Sequence, residues 1–457
     1  MCRKVIQGII FIGFSVQIMF GLVWMGCNIT YIQDFAGAAT GIYAGMVRML
    51  GKAYPVMYVL QLLAAVYAGQ RLVFRLCGPG QKKKQNRLFA LWGSMALMTL
   101  PMAMQCHLAL LPYSLVCSLG LLQLSFCCEL MEPTGDFRRG GFFEHLNFFE
   151  NSETLGHRET FGLFPFAGLW ICYFAQALLL PEYIFLGAVP VVVALLLKHR
   201  GIANAKMPLK IFLILAVAAV GIFAVCSRSV KTGAEYDAAV KNDISGVEWM
   251  MVKRMCWPTL WVDHNGMPDQ IREATVDAVW ESTYYPGNMD EVFKPAIEAA
   301  MSAGEAKPLL AEAAAGSWRM HYPMIIRQVG WDVLGYCVSP VILQLQLSGD
   351  AYESHSGRNY AIMRKSAPAL TKWYVNYSSW WFAAAAVLTA LLLAARLAAG
   401  ERPYRRREGR LSAVVFSFAV CCVFWYTIQG AGIMDYKYTV FINELWFLWS
   451  FKTMKSY

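Results

Sequence analysis

VIQGIIFIGFSVQIMFGLVWM, residues 5–25, is the stretch whose reading decides the fold. It carries no ionisable side chain and follows directly on Arg3 and Lys4. A helix needs about 20 apolar residues to cross the hydrocarbon core of a bilayer, and this run supplies them. It is too long for the apolar part of a cleavable signal, and no small-x-small site follows it, so it reads as a first membrane span. The rest of the chain repeats its character. Of 457 residues, 57% are hydrophobic and 15% charged, and the mean hydropathy is +0.42. Those values belong to a polytopic membrane protein rather than to a soluble domain.

Further apolar runs stand at 54–70, 88–105, 107–128, 161–180, 183–197, 211–226, 379–395 and 411–428, with a last one of marginal length at 438–451 that is either a short span or an interfacial helix. The expected fold is all-α, a polytopic helical membrane protein of nine or ten spans. Residues 35–50 are too broken to span and read as a short helix at the interface. Basic residues gather at Arg71–Arg87, Lys198–Lys210 and Arg396–Arg410. Alternating sides from a cytoplasmic N-terminus puts all three clusters inside, as the positive-inside bias requires. The same bias accounts for the net charge of +10 without a nucleic-acid partner.

Asp34 and the long mixed stretch 228–376 then share the outer face. The chain divides accordingly into an N-terminal membrane region (1–227), an extracytoplasmic helical domain (228–376) and a C-terminal membrane region (377–457). Within the middle part, apolar residues recur at three and four, the helical period. Pro268 marks one helix start. Asn288 is placed to cap another, with Asp290 and Glu291 in its first turn and Gly304 as its stop. Two more helices are expected at Ala306–Gly316 and His321–Leu334. Tryptophans at both ends of the stretch suit the headgroup layer. Most of the thirteen cysteines sit in apolar runs and act as small hydrophobes. Cys256 and Cys337 lie in the polar stretch and are either a pair or two free thiols. Asp263-His264 has no third ligand at a useful spacing, so no metal or other cofactor is expected.

The runs at 5–25, 107–128 and 211–226 hold almost nothing that ionises. A coupled transporter usually keeps such a group near the midplane, so their composition argues against transport and moves polar chemistry to the outer surface. There Asp34 is the one carboxylate between the first two spans. It is placed either as a general base on an acceptor hydroxyl or as the N-cap of the helix beginning near Phe35. Arg48 stands near it in sequence, and Lys437 and Tyr438 follow the run 411–428. Each cation either pairs with a lipid phosphate or snorkels to the headgroups.

An N-terminal span, an acid in the first outer loop, an interfacial helix, many further spans and a large outer part together resemble the GT-C family of polyprenyl-phosphate-dependent glycosyltransferases. Asp435-Tyr-Lys-Tyr-Thr-Val-Phe441 is similar to the basic-aromatic segment such enzymes carry near the C-terminus. The resemblance implies that Asp34 is the catalytic base or orients the acceptor, and, more loosely, that Lys437 and Tyr438 hold the phosphate of a polyprenyl-phosphate sugar donor. The chain departs from the family in having one acid in that loop rather than a pair, fewer spans, and its large insert between late spans. Two other readings stand beside it. One is a non-catalytic membrane protein whose outer helical domain binds a partner or an envelope polymer. The other is a flippase or transporter of a lipid-linked sugar.

Overall fold

The computed structural model describes residues 2–28, 41–50, 53, 55–77, 83–100, 103–104, 107, 112–130, 160–180, 183–199, 244, 247–262, 266–284, 289–338, 368–399, 407–430 and 436–455. The expected span at 211–226, the acid Asp34 and the turn at Asp263-His264 lie outside them. Among the described residues the α-helices run in the order α1 (Cys2–Asn28), α2 (Gly41–Leu50), α3 (Pro55–Cys77), α4 (Lys83–Met98), α5 (Pro112–Leu130), α6 (Thr160–Leu179), α7 (Tyr183–Leu186), α8 (Ala188–His199), α9 (Val247–Cys256), α10 (Asp269–Ala274), α11 (Val276–Tyr284), α12 (Lys294–Ala300), α13 (Ala303–Val338), α14 (Pro368–Ala398), α15 (Arg407–Gly430) and α16 (Tyr436–Lys455). No strand occurs among the described residues. The all-α expectation holds, and four helical segments are long and apolar enough to cross a membrane: Lys4–Trp24, Val59–Cys77, Pro112–Leu130 and Asn376–Ala395. Shorter apolar helices cover Arg87–Met98, Pro165–Leu179 and Val414–Thr427.

The chain forms two compact units, one of residues 1–223, 356–419 and 443–457, the other of residues 224–355 and 420–442. In the first unit, close crossings depend on small residues. A Cβ at Gly13 of α1 would fall inside the indole of Trp381 on α14, and the Tyr377 hydroxyl donates to the Gly13 carbonyl at 3.0 Å. Gly187, between α7 and α8, leaves a carbonyl that Gln123 Nε2 satisfies at 2.6 Å. Gln176 Nε2 donates in turn to Gln123 Oε1 at 3.1 Å. Buried glutamines thus repair a helix break where lipid offers no hydrogen bond.

The basic cluster at 71–87 is only partly a loop. Arg71 and Arg75 sit inside α3, which runs on to Cys77, and both reach the buried carboxylate of Glu129, at 2.8 Å and 3.1 Å. Between Asn443 and Lys452, α16 is buried or half-buried at every position. A helix enclosed on all sides is a core element, so this part of the last segment does not lie along an interface.

The second unit encloses a core of Trp249, Val252 and Cys256 from α9, Ile271 from α10, Met289 and Phe293, Ile297 from α12, and Ala306, Leu310 and Ala313 from α13. Pro268 opens α10 as expected. Gly304 does not end a helix. Ser302 and Glu305 form a reciprocal capping box, Ser302 Oγ donating to Glu305 Oε2 at 2.7 Å and Glu305 N to Ser302 Oγ at 3.4 Å, which starts α13 and places Gly304 in its first turn. The two helices expected at 306–316 and 321–334 are one, bent at His321 (φ −133, ψ 26) two residues before Pro323. Proline lacks the N–H and its ring crowds the carbonyl four residues back, so a bend there has a sufficient cause. Gly266 (φ +79) meets the backbone of Gly316 so closely that a Cβ on either would overlap the other. Asp290 is more than a first-turn acid, since it accepts from Trp249 Nε1 and Lys253 Nζ, each at 2.6 Å.

Candidate functional site: a buried histidine–glutamate pair

After α4 the chain turns through Thr99 and Leu100. The carbonyls exposed at that helix end are taken up by neighbouring side chains. Gln17 Nε2 reaches Ala96 O and Thr99 O, each at 3.4 Å, and the Tyr374 hydroxyl donates to Thr99 O. This fixes the approach to His107, whose Nδ1 lies 2.8 Å from the Oγ of Ser114 in the first turn of α5. The other ring nitrogen, Nε2, stands 3.5 Å from Glu444 Oε1 of α16. All three side chains are buried, Glu444 and Ser114 completely.

The contact of His107 with Glu444 is an electrostatic pair at the outer limit of hydrogen-bond length, and neither Glu444 oxygen has a shorter-range donor among the described residues. The carbonyl oxygen of the neighbouring Asn443 side chain is equally unsatisfied. An isolated buried carboxylate is strongly disfavoured. Two arrangements relieve it, a neutral acid beside a neutral imidazole, or a carboxylate beside an imidazolium, and they hold the same protons, one of them placed on the carboxyl or on the ring. If Ser114 donates its hydroxyl hydrogen to Nδ1, the imidazole proton sits on Nε2, facing the glutamate. Ser114, His107 and Glu444 therefore form a short chain of polar groups.

Its depth follows from the neighbours of α16 within the same unit. Lys452 Nζ donates to the Leu76 carbonyl at 3.1 Å, beside the arginine-clamped Glu129 end of α3. One residue earlier Phe451 stacks on Phe89, and Phe447 meets Phe14. Glu444 lies eight positions before Lys452, about 12 Å along a helix rising 1.5 Å per residue. The pair thus occupies the half of the bundle away from the basic end.

The sequence had placed the chemistry elsewhere. Asp34 lies outside the described residues. Arg48 falls on α2 and Lys437 and Tyr438 open α16, with backbones but not side chains described, so no geometry joins the four. The scarcity of ionisable groups in the apolar runs also needs correction, because the last run contains Glu444, fully enclosed. One acid in an otherwise apolar helix was the available signal. What hid it was that its partner belongs to another segment far away in sequence. Comparison of the chain with protein-family models, curated proteins and solved structures finds no match in any of them.

Proposed function

We propose that the protein is a membrane glycosyltransferase that moves a sugar from a polyprenyl-phosphate donor to an acceptor hydroxyl in the outer half of the bilayer, with Glu444 and His107 as its acid–base pair. The observation that carries the reading is the enclosed pair itself, set away from the basic end that the positive-inside bias assigns to the cytoplasm. In the step, the acceptor oxygen bonds to the sugar carbon, the carbon–oxygen bond to the lipid phosphate breaks with its electron pair, and the acceptor proton passes to Glu444 with His107 alongside. Burial serves this chemistry, since bulk water at the same carboxylate would compete with the acceptor for the sugar. In this scheme Asp34 orients the acceptor and Arg48 holds the donor phosphate.

The same pair favours a second reading, a proton-linked flippase of a lipid-linked sugar, because ionisable groups inside a bundle are the usual carriers of protons across it. Reconstituted full-length protein supplied with a labelled polyprenyl-phosphate sugar separates the two. Under the first reading wild-type protein transfers label, and Glu444→Gln, which keeps shape and removes basicity, lowers transfer by roughly 10²–10⁴-fold at equal abundance. Translocation of intact donor driven by a pH gradient, without transfer, selects the flippase. Neither activity from any donor tested removes both readings and leaves partner binding.

A further inference from the structure

The two halves of α13 present different surfaces. Up to Glu312 the exposed positions are Gly304, Glu305, Lys307, Pro308, Ala311 and Glu312, an ordinary solvated face of mixed charge. From Trp318, just before the bend, they include Trp318, Met320, Tyr322, Ile326 and Trp331, interspersed with Arg319 and Arg327 and with no acid among them. The one acid in that half, Asp332, is buried and paired with Arg254. Trp318 and Tyr322 lie side by side, ring centroids 6.2 Å apart. The buried side of this half, Ser317, Ile325 and Asp332, already faces its own unit, so the aromatic and basic positions are what remains for something else.

We infer that α13 from Trp318 onward lies on an anionic bilayer surface. Tryptophan and tyrosine are enriched where apolar tails meet headgroups, and arginines interleaved with them pair with lipid phosphates. A solvated role would not need five large apolar side chains on exposed positions of one short half-helix, nor the exclusion of acids from it. The occupant is fixed by charge and tether. The charged exposed groups of the face are all cationic, and the next helix among the described residues, α14, contains the candidate span Asn376–Ala395. The bend at His321 redirects the helix within this stretch, so one helix can serve both the core of its unit and the lipid.

The unit contains its own reference. Trp280 on α11 is more exposed than Trp318 or Trp331 but stands between the exposed acids Asp277 and Glu281, which an anionic surface repels. Full-length protein, one copy per nanodisc, is subjected to hydroxyl-radical footprinting, with oxidation of each tryptophan read by peptide mass spectrometry. In discs containing phosphatidylglycerol, Trp318 and Trp331 are expected to oxidise severalfold more slowly than Trp280. Arg319→Glu with Arg327→Glu, or discs of phosphatidylcholine alone, should remove most of that protection, since each basic residue at an anionic surface is worth about fivefold in partitioning. Trp249, buried in the core of the unit, staying slow to oxidise in the variant shows that the unit is still folded. Equal oxidation of Trp318, Trp331 and Trp280 in anionic discs overturns the inference. Protection that survives both charge reversal and neutral lipid also overturns it, because a protein surface would then be the cover.

Discussion

Replacing Arg254 by leucine isolates the interaction that joins α9 to the far half of α13. Arg254 and Asp332 have side chains only 8% and 3% exposed, and their charge-assisted contact lies inside the second unit. Removing one member of a buried pair typically costs about 3–5 kcal/mol, because the other charge stays enclosed. Gln328 Nε2 keeps a 2.9 Å bond to Asp332 Oδ1, which places the expected loss near the bottom of that range, about 3 kcal/mol. At 1.36 kcal/mol per tenfold, that raises the population of the opened unit about 150-fold.

Cys256 reports the opening. It is a free thiol, fully buried and accepting from Ser317 Oγ at 3.5 Å. Burial pushes its pKa up to about 12, the Ser317 bond offsetting part of the rise. The closed protein should therefore resist alkylation at pH 8, and in full-length Arg254→Leu labelling at Cys256 should speed up about 150-fold, in step with opening. Arg254 Nε and its second terminal nitrogen have no hydrogen-bond partner among the described residues, so the pair is imperfectly satisfied. The double replacement Arg254→Leu with Asp332→Leu should then return labelling close to the wild-type rate. A double variant as reactive as the single one would refute the reasoning, since the loss would then come from packing around residue 254 and not from a stranded charge.

Two glycines of α1 should respond in opposite ways. Gly13→Ala drives a methyl into Trp381 and should destabilise the first unit by about 1–3 kcal/mol. Gly8→Ala meets nothing within 4 Å and should be neutral or stabilising by up to about 1 kcal/mol. Thermal unfolding of the full chain in detergent distinguishes them, and equal shifts would contradict the described α1–α14 contact. The capping box predicts an acid response. Hydrogen bonds from the Ser302 hydroxyl and backbone hold the exposed Glu305 carboxyl below its ordinary range. Its contribution is complete above the unfolded carboxylate pKa of about 4.3 and is lost as pH falls through the lower folded value. Amide exchange over residues 303–308 should therefore rise in acid in the wild type. In Ser302→Ala that acid-dependent change should be absent, and an identical response in both would refute the assignment.

The helical class was readable because hydrophobic period and span length are local properties, visible at Val5–Met25 and at Pro268 alike. Local punctuation proved harder. Gly304 carries a residue type that often ends helices, but the Ser302–Glu305 box beside it makes a start. The spacing predicts separate helices at Ala306–Gly316 and His321–Leu334, but α13 runs continuously through both, bent at His321. The least readable feature was the candidate site. His107 looked like the edge of a span and Glu444 like a minor interruption of a segment weighed only by its length. What joins them is the docking of α16 beside the end of α4, a tertiary event that no window of sequence contains. Asp34 drew attention because it was isolated on a predicted surface, whereas the enclosed acid was concealed by the apolar residues around it.

The placement of α16 bears on how the protein is made. Its segment 443–452 fills the interior of a unit whose other helices are all synthesised before it. Until it arrives, Leu76 O lacks its lysine, His107 lacks its acid, and Phe14, Phe89 and Gly93 lack the rings of Phe447 and Phe451. The earlier helices must therefore be held open while the ribosome completes the chain, either by the insertion machinery or by lipid occupying the gap. A ribosome that stalls before residue 443 would leave a half-built bundle with a slot at its centre, a form that membrane quality control can recognise by what is missing from its middle.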